Sequence, residues 1–445
     1  MKKQLYDKMA AMFPLVEHAY QEISPFEMLL YRLIRGNTFN MRVVGLEMIK
    51  RFRKENPDCA ITFKPNHLSE ADFIMLQLLF REHDMRVLIE GGDNLFIDNI
   101  DIYRDILPTL IHPSFKDLAE TRSECIADYL CRRGAFKVFR NPVTLQRQTG
   151  DDIKLGRKDI LSLSRAYRRH LVEANEMYIT FPGYSAVRSS LLDLFKKDEF
   201  KTGRSYSGKM EGFHHLPFQM DVEASLDAGV GLYIVGVNVA YERVLEDENF
   251  PELLRLQQAG ASRQAVYLKD IEYVVRQFLR DKPKANLSIK FAEPRKVGIS
   301  NLKGDLLGTK IKQTAHLYAE ETFEKVMGMQ PVFPANIYFT AFKEGFNWIP
   351  VPLMREKIDD IRDRLRHLRW SEQKRAIDLH YVTGYNQQLM SPDEIINRTF
   401  DLFSSPKNPV TSLDGDTFVV HNREIAAQYR NHISHFFKTP ARPTV

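Results

Sequence analysis

The sequence predicts an α/β fold: a mixed, largely parallel central sheet flanked by helices, with helical N-terminal and C-terminal regions. Two observations carry that expectation. Between residues 59 and 294, short apolar strand-like runs alternate with helical patterns, as in a sheet built with crossover helices. Outside that span apolar residues recur at helical spacing, as at Leu29, Leu30, Leu33 and Ile34. The chain divides accordingly into a helical N-terminal region (1–56), an α/β domain (57–300) and a helical C-terminal region packed on the core (301–445). A chain of 445 residues has ample core for this arrangement.

Taken in order, the expected strands are Cys59–Phe63, Val87–Glu90, Phe136–Arg140, Met177–Phe181, Leu232–Ala240 and Asn286–Phe291. The intervening helices run over 69–82, 117–132, 159–174 and 252–281. In such sheets functional residues gather beyond the carboxyl ends of the strands, where His67, Gly91, Gly92, Arg140, Pro182 and Gly183 fall. From residue 303 the pattern is helical, broken at Pro331, Pro334, Pro350 and Pro352. The charges alternating from Asp359 to Arg369 mark a solvated helix face, Ser404 to Pro409 a loop, and Arg423 to Phe437 a closing helix.

Composition narrows the function classes. The chain is 44% hydrophobic and 27% charged, the balance of a soluble globular protein. Its net charge of +5 suits anionic substrates or lipid headgroups but is too dispersed for nucleic acid. Cys59, Cys125 and Cys131 show no zinc spacing, which fits a reducing compartment. Asp7, Glu17 and His18 interrupt any signal-peptide core, and no apolar run is long enough to span a bilayer. The expected location is cytoplasmic, peripheral on the inner face of a membrane. A basic run (Lys154, Arg157, Lys158, Arg165, Arg168, Arg169) is either a solvated helix face or a surface for anionic lipid or coenzyme A.

The chemistry concentrates at Asn66-His67-Leu68-Ser69-Glu70-Ala71-Asp72. An ideal helix turns about 100° per residue, so two side chains five positions apart on one helix diverge by about 140°. His67 and Asp72 meet only if the histidine lies in the turn and the aspartate near the helix start. Pro65 and Asn66 supply a turn and a cap. The same spacing also fits a capping aspartate beside a surface histidine. Three further segments place glycines and cations at strand ends: Glu90 to Leu95 (EGGDNL), Arg132 to Arg140 (RRGAFKVFR) and Gly203 to Lys209 (GRSYSGK). Arginine forks, lysine point charges and glycine-turn amides are what phosphate recognition requires. Each also has an ordinary structural use, in turns and at exposed ends.

In this order the segments resemble the motifs of the glycerol-3-phosphate acyltransferase family, including its dihydroxyacetone-phosphate relatives. His67 and Asp72 match the first motif, with EGGDNL after it, and RRGAFKVFR matches the second with Arg140 at its terminal arginine. GRSYSGK is similar to the third and IVGVNVAYERVLE (234–246) to the fourth. NLSIKFAEP (286–294) and EIAAQYRNHISHFF (424–437) extend the likeness over residues 60 to 440. Three departures stand out. The third motif is split by a charged insert, Tyr184 to Thr202, and lacks a glutamate between Phe181 and Gly183. The fourth has Val237 where a proline is usual, and the first has Leu68 in place of a polar residue.

The resemblance implies an O-acyltransferase moving a fatty acyl group from a thioester to the primary hydroxyl of glycerol 3-phosphate or a close phosphorylated acceptor, in phospholipid biosynthesis. The alternatives are a lysophosphatidate-type acceptor, or a non-catalytic lipid-binding member of the fold. His67 is the expected base and Asp72 its orienting partner, with no metal and no cofactor beyond acyl-CoA or acyl carrier protein as co-substrate. Arg140, Arg204 and Lys209 are expected on the acceptor phosphate, with Gly203, Ser205 and Ser207 adding hydrogen bonds. Phe73, Leu76 and Phe80 are placed either along an acyl tunnel or in the ordinary core, and the insert is a candidate lid over the acceptor. An anionic membrane surface is an expected partner and nucleic acid is not.

Overall fold

The structure, a computed structural model, describes residues 38–69, 71–92, 125–138, 143–146, 152–187, 200–202, 210–261, 284–298, 307–342, 346–370, 389–404 and 409–437, with scattered single positions elsewhere. Its centre is an eight-stranded sheet. The strands are β1 (Phe39–Val44), β2 (Cys59–Pro65), β3 (Leu88–Gly92), β4 (Ala135–Val138), β5 (Met177–Ile179), β6 (Gly231–Tyr241), β7 (Ala285–Phe291) and β8 (Arg295–Lys296). They lie in the order β1-β7-β6-β2-β5-β3-β4, with β8 also paired to β6. From β4 through β3, β5 and β2 to β6 every pairing is parallel. Beyond β6 the direction reverses: β7 and β8 pair with it antiparallel, and β1 lies parallel to β7.

The central strands are covered on both faces, which is why β2 and β6 read as almost unbroken apolar runs. Every residue of β2 is buried. Ile61 and Phe63 face one core, with Leu76 and Phe80 of α1 (Ala71–Glu82). Ala60 faces the other, with α2 (Arg157–Glu173), α3 (His215–Ala228) and α4 (Leu307–Gly328). Gly236 of β6 lets α4 approach, since a Cβ there would sit 3.0 Å from a methyl of Val326. Leu76 and Phe80 are therefore core residues, and Phe80 packs its ring on Phe63 at 4.7 Å.

All six strands expected between 59 and 294 are present, with shifted ends. β1 is an addition: it lies in the stretch expected to be helical, and the helix Leu46–Glu55 follows it. Its pairing partner is Ala285–Lys290, more than two hundred residues away, so nothing local marks it as a strand. Gly45, at φ 86°, makes the turn between strand and helix. Helix α3 is a second addition. Pro217 suggests a break there, yet proline in a first turn costs no hydrogen bond. Of the helices expected over 117–132 and 252–281, the described residues hold Ile126–Arg132 and Phe250–Gln258.

The C-terminal region is helical over Pro334–Ala341, Val351–His367, Pro392–Phe403 and Arg423–His432. It is not helical throughout. Trp348–Pro350, Thr411–Asp414 and Thr417–Val420 form an antiparallel sheet, whose hairpin turns through Gly415 and Asp416. Ile395, Phe403, Tyr429 and Ile433 join the same core as α1.

Candidate functional site

His67 stands where β2 leaves the sheet. Pro65 has no N–H to give the ladder, and Asn66 replaces it. Its side-chain amide donates to Val239 O (2.8 Å) and accepts from Val239 N (2.7 Å), copying a strand pairing with β6. The asparagine thus anchors the end of the strand rather than capping the helix. Ser69 is the cap: its Oγ accepts from Ala71 N (3.0 Å) while Asp72 Oδ2 accepts from Ser69 N (3.0 Å), the reciprocal pattern of a capping box.

Asp72 Oδ2 also accepts from Leu68 N (2.7 Å) and lies 3.0 Å from His67 Nδ1. Held among these donors, the carboxylate takes Nδ1–H from the imidazole and leaves Nε2 as the free base. Asp72 is wholly buried, whereas the histidine side chain is 16% exposed. Phe181 packs against the ring at 4.8 Å between centroids. Leu68 is a core residue. The turn after β2 and the turn after β6 meet here as well, since Ser69 Oγ donates to the buried Glu246 at 2.8 Å.

Behind the site lies a buried ionic cluster that sequence reasoning missed. Lys64 Nζ sits 2.6 Å from Asp221 Oδ2 and donates to the hydroxyl of Thr180, the residue before Phe181. Asp221 Oδ1 accepts from Arg168 (2.8 Å) and from Tyr178 OH (2.9 Å), and Arg168 reaches on to Glu90. Burial pulls the Lys64 ammonium down to about 8, partly offset by Asp221. Burial alone would push the Asp221 carboxyl up, but Lys64 and Arg168 together hold it below the usual range. The Tyr178 phenol is raised by burial and by the adjacent Asp221 charge. One sequence signal for the cluster was available: a lysine inside an apolar strand is almost never buried without a partner.

Arg168 itself corrects the view of the 154–169 basic run as one exposed face. It is 5% exposed and turned inward, because its position on α2 faces Asp221 of α3. Arg165 pairs with Glu223 and Arg169 with Glu173, while Arg157 and Lys158 are exposed.

The remaining expected site residues, Arg140, Gly203, Arg204, Ser205, Ser207 and Lys209, lie outside the described residues, as does the middle of the insert (188–199). The insert's ends are described. Strand Gly183–Val187 pairs with Phe200–Thr202 on one side and with Gly212–Phe213 on the other. Thr202 and Gly212, which bracket the split third motif, therefore flank one short strand that begins two residues after Phe181.

No protein-family model matches the chain, and no curated protein matches it. Among the described residues no helix is long and apolar enough to cross a membrane, and no three His, Cys, Asp or Glu side chains cluster as a metal site. Chemically, the arrangement is an oriented, partly exposed imidazole beside the end of a parallel sheet. It is suited to taking a proton from a hydroxyl.

Proposed function

We propose that the chain is an O-acyltransferase that moves a fatty acyl group from an acyl thioester to the primary hydroxyl of glycerol 3-phosphate or a close phosphorylated acceptor. One observation carries the reading: His67 Nδ1 lies 3.0 Å from the buried Asp72 carboxylate while the histidine side chain keeps 16% exposure. The order of the motifs in the sequence supports it.

In this mechanism His67 Nε2 takes the proton of the acceptor hydroxyl as its oxygen attacks the thioester carbonyl. Asp72 stabilises the imidazolium that forms, with the substrate hydroxyl standing where a catalytic serine would be. The tetrahedral oxyanion collapses, the C–S bond breaks, and the imidazolium proton passes to the departing thiolate. The electron pair leaves on sulfur, so no redox partner enters. Arg140, Arg204 and Lys209, with Gly203, Ser205 and Ser207, are proposed to hold the acceptor phosphate. The donor is acyl-CoA or acyl carrier protein, and the protein works peripherally on an anionic membrane face.

The test is thioester consumption across phosphorylated polyol acceptors with wild type and His67→Ala. Loss of the base is expected to lower turnover by about 10² to 10⁴-fold. Acyl transfer confined to a lysophosphatidate acceptor would replace the acceptor assignment. Turnover unchanged in a folded His67→Ala protein would remove the mechanism.

A further inference from the structure

Phe181 packs on the imidazole of His67, and the mechanism above gives it no role. It stands one residue beyond Thr180, whose N–H donates to Phe63 O at 3.0 Å and so carries the pairing of β5 with β2 to the carboxyl end of the sheet. Side chains alternate between the faces of a strand. Tyr178 accordingly enters the core under α2 and α3, while Ile179 and Phe181 face the core shared with α1, the helix that carries Asp72. The phenyl and imidazole centroids lie 4.8 Å apart with the rings inclined at 41°. The residues on either side of Phe181 are pinned: Lys64 donates to the Thr180 hydroxyl, and Pro182 O accepts from His214 N at 2.8 Å.

Two needs of the reaction converge on this contact. The outer torsion of a histidine is broad, so one hydrogen bond at Nδ1 leaves the ring free to rock. A phenyl ring against it stops that motion on one side and holds the direction in which Nε2 points, where small errors are costly. The second need is charge. His67 becomes a cation only as it takes the hydroxyl proton, and a cation within about 6 Å of a phenyl centroid is attracted by the ring's quadrupole. That attraction is stronger in the transition state than in the ground state, which is the condition for raising kcat rather than lowering KM.

We propose that Phe181 is a positioning residue for His67, holding the tilt of the imidazole and stabilising the imidazolium through its ring face. The proposal rests on the acyltransferase reading above and adds a residue to its machinery. Phe181 acts through the histidine, so its loss reads on the rate of acyl transfer and not on substrate binding.

Phe181→Leu keeps an apolar side chain and removes the ring. Single-turnover acyl transfer from palmitoyl-CoA to whichever acceptor the wild type acylates should slow about 3- to 30-fold, with the steady-state KM of each substrate within about twofold. Replacing Phe181 by 3,4,5-trifluorophenylalanine keeps the packing and weakens the quadrupole, and should slow the reaction in the same direction. Histidine NMR spectra, with the His67 signals identified by their absence from His67→Ala, read the contact without turnover. The His67 ring protons should lose their ring-current shift in Phe181→Leu and keep it in the fluorinated protein. Thermal melting checks that both proteins are folded. A single-turnover rate within twofold of wild type in folded Phe181→Leu overturns the inference alone, as does a full wild-type rate with the fluorinated ring or a rise in KM that accounts for the loss. No turnover of a phosphorylated polyol or lysophosphatidate acceptor by the wild type overturns the acyltransferase reading and this inference with it.

Discussion

Replacing Asp72 by asparagine separates charge from geometry at the centre of the site. Oδ2 of Asp72 faces three donors: His67 Nδ1, Leu68 N and Ser69 N. An asparagine NH2 group in that position would meet donors only, so the amide oxygen must take it. The imidazole then keeps its tautomer and the helix keeps its capping contacts. What is lost is the negative charge that stabilises the imidazolium. Exchanging a charge-assisted bond for a neutral one costs about 1–2 kcal/mol. Two unit charges about 4 Å apart at an effective dielectric near 20 attract by about 4 kcal/mol, an upper bound for this partly exposed pair. A barrier rise of about 2–4 kcal/mol lowers kcat by roughly 30- to 1000-fold. The NH2 group would replace Oδ1, which is buried without a hydrogen-bond partner among the described residues, so stability should also fall, by about 1–3 kcal/mol. Release of free coenzyme A, followed with a thiol reagent, gives the rate. Cys59 is buried and Cys125 and Cys131 are half-buried, so an enzyme-only blank is needed. A folded Asp72→Asn protein with kcat within twofold of wild type would refute the reasoning.

Two further outcomes test the packing around the site. His432 is buried with neither ring nitrogen hydrogen-bonded among the described residues, and burial holds its pKa down to about 4. Because the unfolded chain binds this proton more readily, stability should fall as pH drops below about 6.5 and level off near 4, with about 2 kcal/mol lost between pH 7 and 5. Urea denaturation across that range should show a flatter profile for His432→Leu; parallel profiles would contradict the assignment. Arg168→Met, which takes the cation from Glu90 and leaves the buried Asp221 with Lys64 and Tyr178 alone, should cost about 3–5 kcal/mol, against less than about 1 kcal/mol for Arg169→Met at an exposed pair. Equal denaturation midpoints for the two variants would place Arg168 on the surface after all.

The sheet was legible because its central strands are buried on both faces and therefore unmistakably apolar. β1 was not, because its partner strand begins at Ala285 and its own pattern is short. Helix α3 was hidden by Pro217, and with it Asp221, the residue around which the ionic cluster forms. The pair His67–Asp72 was readable from spacing. A capping aspartate and a partner to the imidazole turn out not to compete: one carboxylate oxygen serves the capping box and the imidazole together. The inward turn of Arg168 had no local sign, since α2 carries basic residues before and after it and only the facing helix decides which one is buried. The split in the third motif looked like a disruption in the sequence. In space, pairing of Gly183–Val187 with both flanks brings the two sides of the split back to one strand.

The same logic explains why the C-terminal region belongs to the site rather than beside it. The turn after β6 carries Glu242, Glu246 and Asp247, all with no exposure, and buried carboxylates are tolerated only with donors at hand. Ser69 supplies one for Glu246, Asn286 supplies two for Glu242 and Arg243 lies beside Asp247, and further donors come from beyond residue 390. Arg398 reaches both oxygens of Glu242 (2.9 and 2.6 Å), and Tyr429 OH donates to Asp247 at 2.6 Å. Burial still raises the Asp247 carboxyl, with Arg243 offsetting part of the effect. Tyr429 also accepts from Val244 N at 2.9 Å, fixing the backbone of the turn. Without these groups Glu242 would keep only Asn286 and Asp247 only Arg243, and the backbone of the turn that carries Glu246 to Ser69 would lose its tie to Tyr429. Ser69 caps the helix whose first turn holds Asp72, so the C-terminal helices help determine where the carboxylate meets the imidazole.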